Sequence, residues 1–408
     1  MEENSPLMTA EERARRIALI HTTFTESAPV SNYDLFAGRR DQIDRVFGAV
    51  FSPGQHAVIY GERGVGKSSL ATIIYDAVIL AGQHNFIPAK VNCSKGITFP
   101  EIWREVFKQL PVVRGEETLD LSEQLSNNPT SEEIRGLVAQ LDNPAIIVID
   151  EFDRVDQDVA TQMSDTIKTL SDRALPVTLV IVGVASALNE LIEEHESVVR
   201  NLVQVEMQRM SLSELLETIE KGLNKTELIM PSLLRHRIAT LSQGLPHNTH
   251  LLAKQAALSA VRDGRIEIGE SDYKNAISEA VLDKTESLGK IYNAATYSPK
   301  KNLFALVLLA CALAADKAGV FSAKDVRIPL SVIGKQPYEI QAYISHLDKF
   351  STERGPILHK GGFKRRFQYR FIEPLMQPYV VLKGLADGLV TEEQLTLLNS
   401  STDFQLPL

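Results

Sequence analysis

Two strings in this 408-residue chain combine residue types and spacing suited to phosphate chemistry. The first is Gly61-Glu62-Arg63-Gly64-Val65-Gly66-Lys67-Ser68-Ser69, whose first eight positions fit G-x-x-x-x-G-K-[ST]. Glycines let the backbone turn its N–H groups onto phosphate oxygens, and a helix starting there adds the positive end of its dipole. Lys67 can then reach the β- and γ-phosphates of ATP, and the Ser68 hydroxyl can ligate Mg²⁺. The second string is Ile146-Ile147-Val148-Ile149-Asp150-Glu151, four apolar residues ending in two carboxylates. Asp150 suits the Mg²⁺ shell, and Glu151 suits a general base that polarises the attacking water. The plainer alternatives are a glycine turn before a helix and a solvated Asp-Glu after a core strand. The order and distance of the two strings favour the paired chemistry.

Positioning such groups needs a strand, a loop and a helix. The run Ala57-Val58-Ile59-Tyr60 precedes the glycine loop, and Leu70-Ala71-Thr72-Ile73-Ile74 follows it in a helical pattern. Further β-rich runs lie at 56–60, 86–91, 145–149, 177–184 and 202–206, with longer helical patterns between them. Strand–helix alternation predicts a parallel sheet covered on both faces, with its ligands at the strands' C-terminal ends. The polar stretch Arg114–Thr130 reads as an insertion or long loop. From Ser211 to Thr296 the strands give way to helices at 213–223, 231–242, 248–262 and 271–287. Beyond Asn302 come three helical patterns and two β runs, 357–359 and 367–371. Between them lies Lys360-Gly361-Gly362-Phe363-Lys364-Arg365-Arg366, whose Gly-Gly is a hairpin signal and whose Lys364-Arg365-Arg366 marks the expected tip. Three helices closed by a hairpin is the order of a winged helix.

Phe36-Ala37-Gly38-Arg39-Arg40-Asp41-Gln42-Ile43, the glycine loop and Asp150-Glu151-Phe152-Asp153 together resemble the AAA+ superfamily of P-loop ATPases. Within it the chain is similar to the origin-recognition initiators and to Tn7-type transposition regulators, from about Phe36 to Lys383. The resemblance implies an α/β P-loop NTPase core with its parallel sheet between helices, a helical lid and a C-terminal winged helix. The expected division is 1–34 helix and linker, 35–210 core, 211–296 lid, 297–385 winged helix and 386–408 tail. It further implies ATP and Mg²⁺ bound between core and lid, and a homo-oligomer built through the ATP site.

Several site residues follow from the resemblance alone. Ser186, after Val180-Ile181-Val182-Gly183-Val184-Ala185, resembles a polar sensor near the γ-phosphate; the alternative is a helix cap. Arg200, or else Arg209, stands where an arginine finger would reach a neighbouring subunit's ATP. A surface ion pair is the competing role. Gln243-Gly244-Leu245-Pro246-His247 resembles the start of a sensor-bearing lid helix and also the Gly-x-Pro of signal-transducing (STAND) ATPases. The initiator pattern calls for arginine where this chain has His247, which brings no fixed charge to a phosphate.

Charge is unevenly spread. The chain carries a net −9, yet residues 300–383 hold 14 basic and 6 acidic residues. Lys360, Lys364, Arg365, Arg366 and Arg370 cluster among Phe363, Phe367, Tyr369 and Phe371, suiting a nucleic-acid backbone or an acidic protein surface. The helix expected over 337–350 has few basic residues, so backbone contact is expected over base reading. Cys93 and Cys311 lie far apart, with neither disulfide nor zinc spacing, and the polar N-terminus does not read as a signal peptide. The longest apolar run, Leu303–Ala315, has 13 residues against the roughly 20 of a membrane span. A cytoplasmic protein with no membrane contact is expected. Three roles fit: a DNA-associated ATP-driven switch or assembly factor, a STAND-like signalling or defence ATPase whose winged helix meets a protein partner, or a nucleotide-binding scaffold that hydrolyses little. The short tail is expected to leave no room for a sensor array.

Overall fold

The computed structural model describes residues 8–26, 29–30, 33–83, 85–184, 200–300, 302–363 and 366–402. They fall into two compact units: one is Ala28–Gln208, the other Met1–Ser27 with Arg209–Leu408.

The first unit is an α/β layer structure. After helix α1 (Ala10–Thr23), which belongs to the other unit, come α2 (Arg40–Val50), β1 (His56–Tyr60), α3 (Lys67–Leu80), β2 (Ile87–Asn92) and α4 (Phe99–Lys108). A small antiparallel hairpin follows, β3 (Val112–Arg114) and β4 (Glu117–Leu119). Then come α5 (Ser131–Val138), β5 (Ala145–Asp150), α6 (Gln157–Asp172), β6 (Val177–Gly183) and β7 (Leu202–Glu206). The main sheet is parallel throughout, in the order β2-β5-β6-β1-β7. β5 and β6 are buried along their whole length, as their unbroken apolar runs require of strands covered on both faces. All five main strands lie within a residue of the β runs in the sequence. The stretch from Arg114 to Thr130 is not a plain loop. Val112 and Leu121 are fully buried, and β3 pairs with β4 with Val112 opposite Leu119.

The second unit is mostly helical. It contains α7 (Leu212–Thr226), α8 (Ser232–Leu241), α9 (Pro246–Arg262), α10 (Glu270–Asp283), α11 (Lys290–Thr296) and α12 (Phe304–Ala314). Strand β8 (Val320–Ser322), α13 (Arg327–Gly334) and α14 (Ile344–Ser351) follow. β9 (Leu358–Phe363), β10 (Arg366–Phe371), α15 (Met376–Ala386) and α16 (Glu392–Thr402) complete it. One continuous apolar core joins α1, the central helices and the C-terminal elements, from Met8 through Leu252 and Leu308 to Leu398. Helix α1 is fastened there by its side chains. Arg16 donates to the carbonyls of Thr226 (2.9 Å) and Glu227 (3.1 Å), satisfying orphan acceptors at the end of α7. Phe24 lies over Gly222 so closely that a Cβ there would sit 2.3 Å from the ring.

The C-terminal sheet has three antiparallel strands in the order β8-β10-β9, so β8 adds a strand to the expected pair. Gly361 and Gly362 both lie within β9. Phe363 pairs with Arg366, so β9 runs on past both glycines; Lys364 and Arg365 are outside the described residues. The segment expected as a tail contains α16, anchored by buried Leu395 and by Gln394, which donates to the Val332 carbonyl at 2.8 Å. Among the described residues, no helix is long and apolar enough to cross a membrane.

Candidate functional site

The glycine loop joins β1 to α3 in the first unit, and its shape depends on close approach. Gly61 has φ +155°, and a Cβ there would lie 2.4 Å from the Met207 carbonyl oxygen, so only glycine lets the loop start beside that chain. Gly66, at φ +95°, caps α3, which puts the first N–H groups of α3 beside the loop. Val65 is fully buried and pins the centre of the loop. From outside, the buried Arg39 donates to the carbonyls of Val65 (3.1 Å) and Gln208 (2.5 Å). Arg63 is exposed and Glu62 half-buried. Ser69 accepts from the Val30 N–H at 3.0 Å, so the segment before α2 runs beside the first turn of α3.

Lys67 folds back over its own loop and donates to the carbonyls of Gly61 (3.0 Å) and Glu62 (2.8 Å). Burial lowers its pKa from the usual lysine value, and Asp153 and Asp150 oppose that shift. Its ammonium is held by neutral acceptors.

Asp150 ends β5, and the parallel register places it opposite Asn92. The carboxylate is buried. Its Oδ1 accepts from the Ser68 hydroxyl at 3.0 Å and from the Glu151 N–H at 2.9 Å. Two hard oxygen donors therefore meet, one from the helix start and one from the strand end. A site with so few protein donors suits Mg²⁺, which takes one or two protein oxygens and fills its octahedron with phosphate oxygens and water. Among the described residues no cluster of three or more His, Cys, Asp or Glu side chains could hold a metal by itself. Glu151 takes the left-handed conformation at φ +56°, rare for a residue with a side chain and concentrated at functional sites. This turns the chain out of the strand and leaves the Glu151 carboxylate half-exposed, paired with Arg154 at 3.1 Å. Cys93 sits alongside, its thiol pushed up to about 12 by burial and by Asp150, so it stays protonated.

The site thus gathers Gly61–Ser69, Asp150 and Glu151 in one unit. Arg200 is exposed in the turn before β7. Arg209 is buried in the other unit and donates to the Gln243 carbonyl at 3.3 Å, so it is not a projecting side chain. Ser186 lies outside the described residues. His247 stands at the start of α9, with Nδ1 2.5 Å from the Glu26 carbonyl oxygen. Burial lowers its pKa, opposed by the Glu26 carbonyl. Sequence reading gave no role to Arg39 or Lys90. Arg39 stood in view beside Gly38, and Lys90 was legible only as a charge inside a β run.

In the basic cluster, Arg366 and Arg370 are exposed on one side of β10, and Tyr369 and Phe371 on the other are buried. Phe363 is 87% exposed. Lys360 instead pairs with Asp348 at 2.6 Å and lies 4.1 Å over the Phe367 ring. Lys364 and Arg365 are outside the described residues.

Residues 35–182 match the family model described as AAA ATPase domain. No curated protein sequence matches the chain. Among solved structures, the chain is similar to the Walker-type ATPase Paby2304 of Pyrococcus abyssi at 15% identity, covering 88% of this chain and 99% of that one, with a TM-score of 0.53. It also matches the Orc1 protein of Aeropyrum pernix in complex with DNA (15% identity, 90% and 98% covered, TM-score 0.48). A third match is Cdc6p of Pyrobaculum aerophilum (15% identity, 91% and 99% covered, TM-score 0.47).

Proposed function

Residues 35–182 being an AAA ATPase domain, we propose that this chain is an ATP-hydrolysing switch or assembly factor that acts on duplex DNA through its basic C-terminal hairpin. The observation that carries the hydrolytic half is the meeting of the Ser68 hydroxyl and Asp150 Oδ1 at 3.0 Å, with Lys67 on the same loop and Glu151 one residue on. The loop N–H groups and the start of α3 bind the phosphates. Lys67 exchanges the carbonyls of Gly61 and Glu62 for β- and γ-phosphate oxygens. Ser68 and Asp150 would hold Mg²⁺, which would supply charge neutralisation. Glu151 orients a water and takes its proton.

The DNA half rests on Arg366 and Arg370, exposed together on β10, within the region of excess positive charge. In this reading residues 297–385 work as a winged helix, and Lys364 and Arg365 add to its positive charge. The contact is to phosphates, so it is weak in sequence preference and steep in salt dependence. Arg200, exposed before β7, serves as the finger that completes a neighbour's site in a homo-oligomer. The exposed Phe363 favours a second reading, in which the hairpin docks on a protein partner.

The test is fluorescence anisotropy with a labelled duplex at two salt concentrations with ATP, alongside hydrolysis rates with and without DNA. Salt-sensitive binding supports the first reading, and no binding at low salt with ATP moves the protein-docking reading ahead. For assembly, turnover per subunit should rise with protein concentration, and Arg200→Ala mixed with Glu151→Gln should regain activity that neither has alone.

A further inference from the structure

Lys90 is a cation beside Asp150 that motif spacing does not single out. It lies on β2 opposite Val148 of β5, at an edge of the parallel sheet. Its ammonium is 3.3 Å from Asp150 Oδ2 and donates to the Thr72 hydroxyl at 2.9 Å. Thr72 in turn donates to the Ser68 carbonyl at 2.7 Å, which ties the lysine to the first turn of α3. The two oxygens of Asp150 are therefore divided. Oδ1 accepts from Ser68 and from the Glu151 N–H, and Oδ2 faces Lys90. The Asp150 side chain is 5% exposed and that of Lys90 is 31% exposed. A carboxylate with an ammonium in contact, shielded from water, presents little net charge to an approaching cation.

We propose that Lys90 is a resident counter-cation of the metal site. It sets the charge of Asp150 low enough that the protein alone does not retain Mg²⁺, so the ion arrives and leaves with the nucleotide. This rests on the ATP-binding reading above. Two protein oxygens are too few to hold Mg²⁺ firmly, and the phosphates must supply the rest. The Lys90 ammonium adds repulsion that only the negative phosphates offset. Without Lys90, Oδ1 keeps both of its hydrogen bonds. Removing the charge therefore outweighs loosening the carboxylate, and the net effect is tighter metal binding.

The experiment titrates Mg²⁺ into the full chain with a saturating non-hydrolysable ATP analogue and follows the thermal midpoint. In Lys90→Met the half-point should fall about tenfold below the parent's, the order expected when a charge a few ångströms from a divalent ion is removed near the surface. Lys90→Arg, which keeps the charge, should stay within about twofold. Mn²⁺ alone, without nucleotide, should raise the midpoint of Lys90→Met and not of the parent. A half-point unchanged or raised in Lys90→Met overturns the proposal, because a lysine that merely braced Asp150 would weaken the site when lost. Should Lys90→Met not fold, Lys90→Gln decides. It removes the charge and keeps a side chain that can donate to Asp150 and Thr72, so a lowered half-point supports the proposal and an unchanged or raised one overturns it. If the analogue with Mg²⁺ does not stabilise the parent at all, the ATP-binding reading fails and takes this inference with it; stabilisation with unshifted half-points removes this inference alone.

Discussion

Lys67 in the glycine loop and Lys360 in the basic hairpin are two lysines beside glycines, each in a region that the proposed function sets against phosphate. Lys67 donates to the Gly61 and Glu62 carbonyls, at 3.0 and 2.8 Å, and burial drives its pKa down. Lys360 donates to Asp348 at 2.6 Å, which drives its pKa up. The carbonyls are neutral and are readily traded for phosphate oxygens, whereas Asp348 is a full opposite charge. The first lysine is poised for a ligand and the second is already neutralised. A count of positive charges along a sequence therefore overstates what a partner can meet, and the paired acid, 12 residues upstream in this case, decides the difference.

The comparison breaks first at Lys67. Replacing it with alanine should remove about 2–5 kcal/mol of ATP binding, the scale for truncating one partner of a buried charged contact. The readout is the ATP·Mg²⁺-induced rise in thermal midpoint, which should nearly vanish in Lys67→Ala. An unchanged rise would mean that the loop does not hold phosphate.

Glu151 sharpens the same region by separating binding from chemistry. Its carboxylate is assigned to the water and not to the nucleotide, so Glu151→Gln should keep the midpoint rise while turnover falls about 10²-fold or more. A variant hydrolysing at the parental rate would place the base elsewhere.

The α/β unit was legible because its signals are local and redundant. Gly61–Ser68 and Ile146–Glu151 each state a strand end, a turn and a chemistry within a few residues, and the buried β5 and β6 show as unbroken apolar runs. What escaped depends on distant partners. Lys90 meets Asp150 only because β2 pairs with β5 in one register. Arg39 matters through the carbonyls of Val65 and Gln208, the latter 169 residues away. Gly361-Gly362 carries a hairpin signal as a string, yet the ladder, with Phe363 paired to Arg366, puts both glycines inside β9. The β3–β4 hairpin was missed because its strands are three residues each and largely exposed, too short for alternation to show.

In the hairpin, charge reversal should have a moderate effect. Replacing Lys364, Arg365 and Arg366 with glutamate should lower duplex affinity at least tenfold at low salt and flatten its salt dependence, since each lost phosphate contact removes about one unit of slope. The ATP-induced midpoint rise should be retained. Full DNA affinity in this variant would remove the hairpin from the interface.

The smallest expected effect belongs to Lys360 itself, and it tests the comparison most directly. Because Asp348 neutralises it, Lys360→Met should leave the salt slope of DNA binding unchanged. Folding stability should fall by no more than about 1 kcal/mol, since the pair is partly exposed and screened by solvent. Removing the acid should do the opposite. Asp348→Asn releases the ammonium, so the slope should steepen by up to about one unit, the amount one new phosphate contact adds. Anisotropy titrations between about 50 and 200 mM salt span the range in which such slopes separate. A slope lowered by one unit in Lys360→Met would show that this lysine reaches phosphate despite Asp348. The contrast between a poised and a neutralised lysine would then fail, and the charge count along the sequence would have been the better guide.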